Sequence, residues 1–502
     1  MDNLMERILS FPPHPSPSQP LSDQQYDEGI RTQIEMLSKV DERRLKQPTS
    51  SGEHILEIIS PSLNTVPYAY ALVANNGALL DQPDSTISGE IVWQKMTSFL
   101  NYFDPRQARY IGSLLTAIIE TIADHSRRLR QVQPEMAIIP IANAILRLDP
   151  TGSTLTSNHL LLAQLSLESK SPFLAAPVLE RQVLYFPSAT SSRKPKTLSS
   201  PKLPPHSFLI PETGFTRRLK YQEVLEYFVL CGTVHIACQR WEKALDALES
   251  AITYPVKENA VSKIMVEAYK KWILVHIVLH GKAGKLPSTT NSNAAKVFHT
   301  LATPYETVAS LFESASAPRL NEEVSFGSEI WKEDTNTGLM NLVLGAYQRY
   351  QIRHLAQVYR SISISEVTRL TVSAETGANL TSDQDTERLV SDMISQGTLH
   401  AHISRSADSI AVLEFDPDDR ISSEVEIKEE LAASLLRLKS IMEAVTSTDH
   451  RLTHEKEYLK YMARLKAQGK DGSVEGSMGE DAWSVGNGHG IEDEDLMEPE
   501  SY

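Results

Sequence analysis

The chain has 502 residues, 41% of them apolar, which is enough for several packed units; its formal net charge of −15 argues against a general nucleic-acid or anionic-membrane binder. Two cysteines, Cys231 and Cys238, make no disulfide framework, and no basic segment followed by an apolar one opens the chain, so a reducing compartment, cytoplasm and nucleus, is expected. The longest strongly apolar run, Trp272 to Leu279, is interrupted by His276 and falls far short of the roughly 20 residues that span a bilayer, so no membrane partner is expected.

Residues 1–20 are rich in Pro and Ser and read as a flexible N-terminus. Residues 21–187 then give a succession of helical patterns: Tyr26 to Val40, Thr65 to Leu80, Ile91 to Tyr102, Ala108 to Leu129, Glu135 to Leu148 and Ser157 to Leu167, with Pro, Gly or Asn in the gaps. No strand series interrupts them. Residues 188–207 break the pattern, placing Arg193, Lys194, Lys196 and Lys202 among Pro and Ser. This segment reads as a solvated surface loop, the alternative being a basic docking or phosphorylation segment.

Residues 208–350 take on a repeat spacing. Phe228, Cys231, Gly232 and His235 follow the large-x-x-apolar-Gly-x-x-ring order of a tetratricopeptide first helix, and Ala244, Leu248, Ala251 and Pro255 sit near the offsets of the second. The small residues let the two helices approach closely. One such pair cannot bury its apolar face alone, so neighbouring pairs must stack into a superhelix.

Residues 351–417 change character. Ser363 and Glu366 have capping-box spacing ahead of Val367 and Leu370, and a helix is expected to begin near Ser363. After a polar bridge from Thr376 to Asp383, a second helix from Asp385 to Gln396 carries Leu389, Val390, Met393 and Ile394, with Gly397 where a left-handed C-cap favours glycine. Leu399, Ala401 and Ile403 then alternate with His400, His402 and Ser404, and after a turn at Arg405 to Asp408 come Ile410, Val412 and the run to Phe415. Two helices followed by a two-stranded wing make a winged helix. Its second helix, the one that would enter a major groove, carries Asp385, Glu387 and Asp392 against only Arg388, the wrong sign for phosphate.

Residues 422–468 form a long helix in which Leu431, Leu435, Leu438, Met442, Val445, Leu452 and Leu459 keep a 4-3 spacing. Such a stripe is expected to pack against helices of other proteins. Residues 469–502 hold one Lys against ten Asp and Glu, so this tail accounts for −9 of the −15, and with almost no aliphatics it is expected to be disordered.

Patterns that carry chemistry fail on spacing. Cys231, His235 and Cys238 share a helical face at i, i+4, i+7, but no fourth zinc ligand accompanies them and the same positions face the core of a tetratricopeptide pair. His400-x-His402 is similar to the zinc ligands of metal-dependent isopeptidases, yet Ile410 stands where that family has Ser, and Pro417 follows. Gly281, Gly284 and Lys285 lack the four intervening residues and the Ser or Thr of a phosphate-binding loop, and no G-x-S-x-G is present. No enzyme, metal or cofactor is expected.

A tetratricopeptide-like all-α superhelix followed by an α+β winged helix and a long C-terminal helix resembles the PCI-domain family of the proteasome lid, the COP-nine signalosome and translation initiation factor three. Within that group, Glu267 to Val275, His280-Gly-Lys, Leu286-Pro and Thr303-Pro-Tyr305 resemble the subunit 3 family of the signalosome. The resemblance implies a non-catalytic scaffold in a complex that removes a ubiquitin-like modifier from cullins, with catalysis in another subunit. It implies other PCI-domain subunits as direct partners and cullin-type ubiquitin ligases as indirect ones. The expected contacts are the wing strands, through Leu399, Ala401, Ile403, Ile410 and Val412, with Ser409 to Phe415 or Leu399 to Ser404 as an open edge, and the 4-3 stripe of the C-terminal helix. Two alternatives stay open: a PCI subunit of the lid or of the initiation factor, and a winged-helix nucleic-acid adaptor, which would need a basic face.

Overall fold

The computed structural model describes residues 2–12, 21–50, 52–80, 87–128, 135–187, 197–201, 203–255, 261–314, 316–379, 382–405, 411–415, 424–454 and 459–460. The described chain divides into two units, residues 1–420 and residues 421–502. The first is a run of helices ending in a three-stranded sheet. The second is described through one helix, Glu424–His454.

Three hydrophobic cores succeed one another within residues 1–420. Helices Asp23–Ser38, Thr65–Ala74, Gly89–Tyr102, Gly112–Arg128, Glu135–Leu148 and Ser157–Glu168 build the first. They match the expected series except that the pattern from Ala108 to Leu129 breaks into Pro105–Ala108 and Gly112–Arg128, and Thr65 to Leu80 ends in a 3₁₀ turn from Asn76 to Leu80. Gly112 lies at the first break because any Cβ there would meet Thr213 and Phe215.

Two expectations in this region are corrected. The N-terminus is not wholly flexible: Asp2–Leu9 is a helix with Met5 and Ile8 buried. The Gln33 side chain donates from Nε2 to the carbonyls of Ile8 at 3.1 Å and Phe11 at 2.7 Å, and Phe11 packs on Tyr26. Nor is 188–207 a solvated loop throughout. Residues 188–196 and 202, which hold the four basic residues, lie outside the described residues, but Leu198 and Ser199 are buried. Leu198 N–H donates to Asp27, Ser199 Oγ donates to the Asp23 carbonyl at 2.6 Å, and Arg106 and Arg109 donate to the carbonyls of residues 198–200. A polar return segment is therefore held against the helices by its own backbone, a bond set that composition does not reveal.

The tetratricopeptide-like pair is Tyr221–Ala237 and Trp241–Ile252. Gly232 is where they touch: a Cβ would come within 2.8 Å of Leu248, and Ala244, Leu248 and Ala251 are buried against it. The first helix of the pair serves two cores. Val224, Tyr227, Cys231 and Val234 close the first, while Leu225 and Val229 open the second.

The second core continues through Lys263–His280, Ser292–Leu301, Thr303–Glu313, Ala317–Phe326 and the start of Thr337–Leu355. That last helix passes from one core to the next: Leu339, Met340, Val343, Leu344 and Tyr347 belong to the second, Ile352 to the third.

The third core is the winged helix. Ser363 caps Ile364–Leu370 by accepting from Glu366 N–H at 3.3 Å; Glu366 does not complete the capping box, because its carboxylate pairs with Arg369. Asp383–Ser395 follows, and Gly397 adopts φ +68° after it, as the C-cap required. The sheet departs from expectation. It has three strands, β1 (Ser361–Ser363), β2 (Ala401–Arg405) and β3 (Ala411–Phe415), in the order β1-β3-β2, all antiparallel.

Candidate interaction surface

The missing strand changes which edge is open. Leu413 pairs with Ile362 of β1 on one side and Ile403 of β2 on the other, so β3 is central and cannot extend a sheet into a neighbour. The expected edge Ser409 to Phe415 is therefore corrected; among the described residues the strands with one unpaired side are β1 and β2, the latter falling within the other expected edge, Leu399 to Ser404. The side chains are also assigned differently. Leu399 and Ala401 are buried in the winged-helix core with Leu413 and Phe415, and Ile403 is half-buried against them. Val412, half-buried, alternates with Leu413 and so faces away from that core, while Ile410 lies outside the described residues. What β2 offers a partner is its backbone, not an apolar row.

The electrostatics of the second winged-helix helix match its sequence. Asp383 and Asp385 open it, Arg388 is drawn to Asp385 at 3.7 Å, and Glu387 accepts from Arg405 of β2 at 3.1 Å. The cationic groups on this face are held by carboxylates, which leaves little to neutralise a phosphate backbone.

The histidine of β2, His402, faces a carboxylate of the neighbouring strand. His402 Nε2 lies 3.4 Å from Glu414 across the ladder, and Ser404 Oγ donates to the same carboxylate. Cys231 is buried, which pushes its thiol up to about 12, His235 Nε2 faces the Leu179 carbonyl at 3.4 Å, and Cys238 caps its helix. Among the described residues no three His, Cys, Asp or Glu are gathered as metal ligands would be. No described helix is long and apolar enough to cross a membrane.

The helix Glu424–His454 carries a long row of exposed apolar residues among the described residues. Leu431, Leu435, Leu438, Met442 and Val445 are each 57–61% exposed, and Leu436 and Ile441 widen the row. Leu459 is exposed too; the side chain of Leu452 is outside the described set. An unbroken apolar face of this length is uncommon on a free surface.

A run of packed helices ending in a winged helix defines a PCI-domain protein. The sequence profile of the PCI domain matches residues 329–414, and that of the COP9 signalosome complex subunit 3 N-terminal helical repeats matches residues 27–294. Proteins named COP9 signalosome complex subunit 3 are similar along the chain: that of Neurospora crassa is 32% identical over 99% of both chains, that of Emericella nidulans 30% over 99% of both. The Dictyostelium discoideum protein of that name is 23% identical over 76% of this chain and 82% of its own. The chain belongs to the COP9 signalosome complex subunit 3 family.

Proposed function

We propose that this chain is a non-catalytic scaffold subunit of the signalosome, the complex that removes a ubiquitin-like modifier from cullins. Its direct partners are other PCI-domain subunits; cullin-type ubiquitin ligases are reached only through the assembly. The observation that carries this reading is the row Leu431, Leu435, Leu438, Met442 and Val445, more than half exposed on one helix. Covering roughly several hundred Å² of that surface at about 25 cal/mol per Å² supplies several kcal/mol to association before ordering costs. The open edges of β1 and β2 add a second means of contact by strand pairing. The reading places the protein in cytoplasm and nucleus, which fractionation of a tagged chain checks.

The test is a tagged pull-down with mass spectrometry. Truncation after Pro417 should lose partner subunits, whereas truncation after Gln468 should retain them. Equal recovery from both truncated chains removes the helix as the assembly element.

A further inference from the structure

Most of the residues that carry the family resemblance, among them Tyr269, Lys271, Trp272 and Tyr305, are buried and so present little surface. They converge on the turn between the helices Ser328–Glu333 and Thr337–Leu355. Tyr305, wholly buried, donates its hydroxyl proton to Asp334 Oδ2 at 2.8 Å and accepts from Asn336 Nδ2 at 2.9 Å. Lys270 Nζ reaches the same Asp334 oxygen at 2.7 Å. Lys271, 5% exposed, donates to Asn336 Oδ1 at 2.8 Å and pairs with Glu267 at 3.1 Å. Three elements, Lys263–His280, Thr303–Glu313 and the turn, thus share one closed set of polar partners.

Two features say that this set holds something under load. Thr335, a β-branched residue in the middle of the turn, has φ +56°, a left-handed conformation such residues adopt only when their surroundings over-determine it. Lys271 and Asn336 are buried although an apolar core would need neither group, and a fully satisfied buried polar set holds its partners in one geometry. What leaves the turn is the helix Thr337–Leu355, whose first half packs in the second core and whose last turns pack in the winged helix. At about 1.5 Å per residue it is a rod of roughly 28 Å, so a small change of direction at its root becomes a displacement of several ångström at the sheet.

We propose that Lys271, Tyr305, Asp334 and Asn336 form a clasp that sets the direction of the helix Thr337–Leu355 and thereby the orientation in which the winged helix is presented to its neighbour. These are alignment residues that touch no partner. The consequence for assembly rests on the scaffold reading above; the orienting role does not.

The test uses the full chain with Cys238→Ser and spin labels at the exposed positions Lys296→Cys and Asp392→Cys, one on the helical stack and one on the winged helix. Tyr305→Phe removes the bridging hydroxyl and keeps the ring; Asn336→Ala removes both amide contacts. With helical content unchanged, each should broaden the label-to-label distance distribution about twofold, as a joint released from one state to several would, and each should lower recovery of partner subunits. Should Asn336→Ala fail to fold, Tyr305→Phe decides the matter alone. An unchanged distribution overturns the clasp, whatever assembly does. A broadened distribution with undiminished recovery overturns its role in assembly. Loss of partners by the unsubstituted chain would count against the scaffold reading and leave the distance measurement standing.

Discussion

The helices Lys263–His280 and Glu424–His454 both repeat large apolar residues at helical spacing, and their surroundings treat them in opposite ways. In the first, Met265, Tyr269, Trp272, Ile273, Leu274 and Ile277 are at most 3% exposed. In the second, Leu431, Leu435, Leu438, Met442 and Val445 keep more than half of their surface open. Periodicity states that a face seeks cover. It does not state whether the cover comes from the same chain.

The largest expected effect tests the covered side. Trp272→Ala removes a ring that donates to Glu249 at 3.1 Å and stacks on Tyr269, and should cost about 3–5 kcal/mol of stability by chemical denaturation. A loss below about 1 kcal/mol would mean that the second core is looser than its burial indicates.

Next in size is an acid transition centred on the first core. His159 caps its helix through Nδ1 while Nε2, buried, finds no hydrogen-bond partner among the described residues. Burial pushes its pKa from 6.5 down to about 4. The unfolded chain therefore takes up the proton first, so this contribution is complete above the unfolded value and is lost as pH falls from 6.5 toward 4. The loss is on the order of 3 kcal/mol. His159→Gln, which retains a capping-box side chain, should flatten that part of the pH profile; an unchanged profile would place the acid sensitivity elsewhere.

Gly232→Val sharpens the contrast within the covered region, since it forces a side chain against Leu248 where the paired helices touch. Overpacking of this kind should cost about 1–3 kcal/mol, read as a lower denaturation midpoint at unchanged slope.

The smallest effect on folding belongs to the open helix. Leu435→Ala with Leu438→Ala should shift the stability of the isolated chain by less than about 0.5 kcal/mol per site, because neither side chain loses cover. The same double variant should reduce retention by partner subunits. Retention equal to that of the unsubstituted chain would show the stripe to be a solvated face.

The sequence by itself determined the parts whose causes are local: the order of helices, the cap at Ser363, the left-handed residue at Gly397, the close approach at Gly232 and the acidic face of Asp383–Ser395. Each rests on residues within one or two turns of one another. Tertiary structure alone decided the rest. Ser361–Ser363 is too short to show an alternation and becomes a strand only because β3 supplies its hydrogen bonds, which in turn takes the edge away from β3. Residues 198–200 read as polar loop, yet Asp27, Arg106 and Arg109, distant in sequence, bind their backbone. Adjacent Lys270 and Lys271 in an apolar helix are legible as a resemblance but not as a joint, because their partners Asp334 and Asn336 lie some sixty residues further along the chain and only folding brings those charges and amides within hydrogen-bond reach.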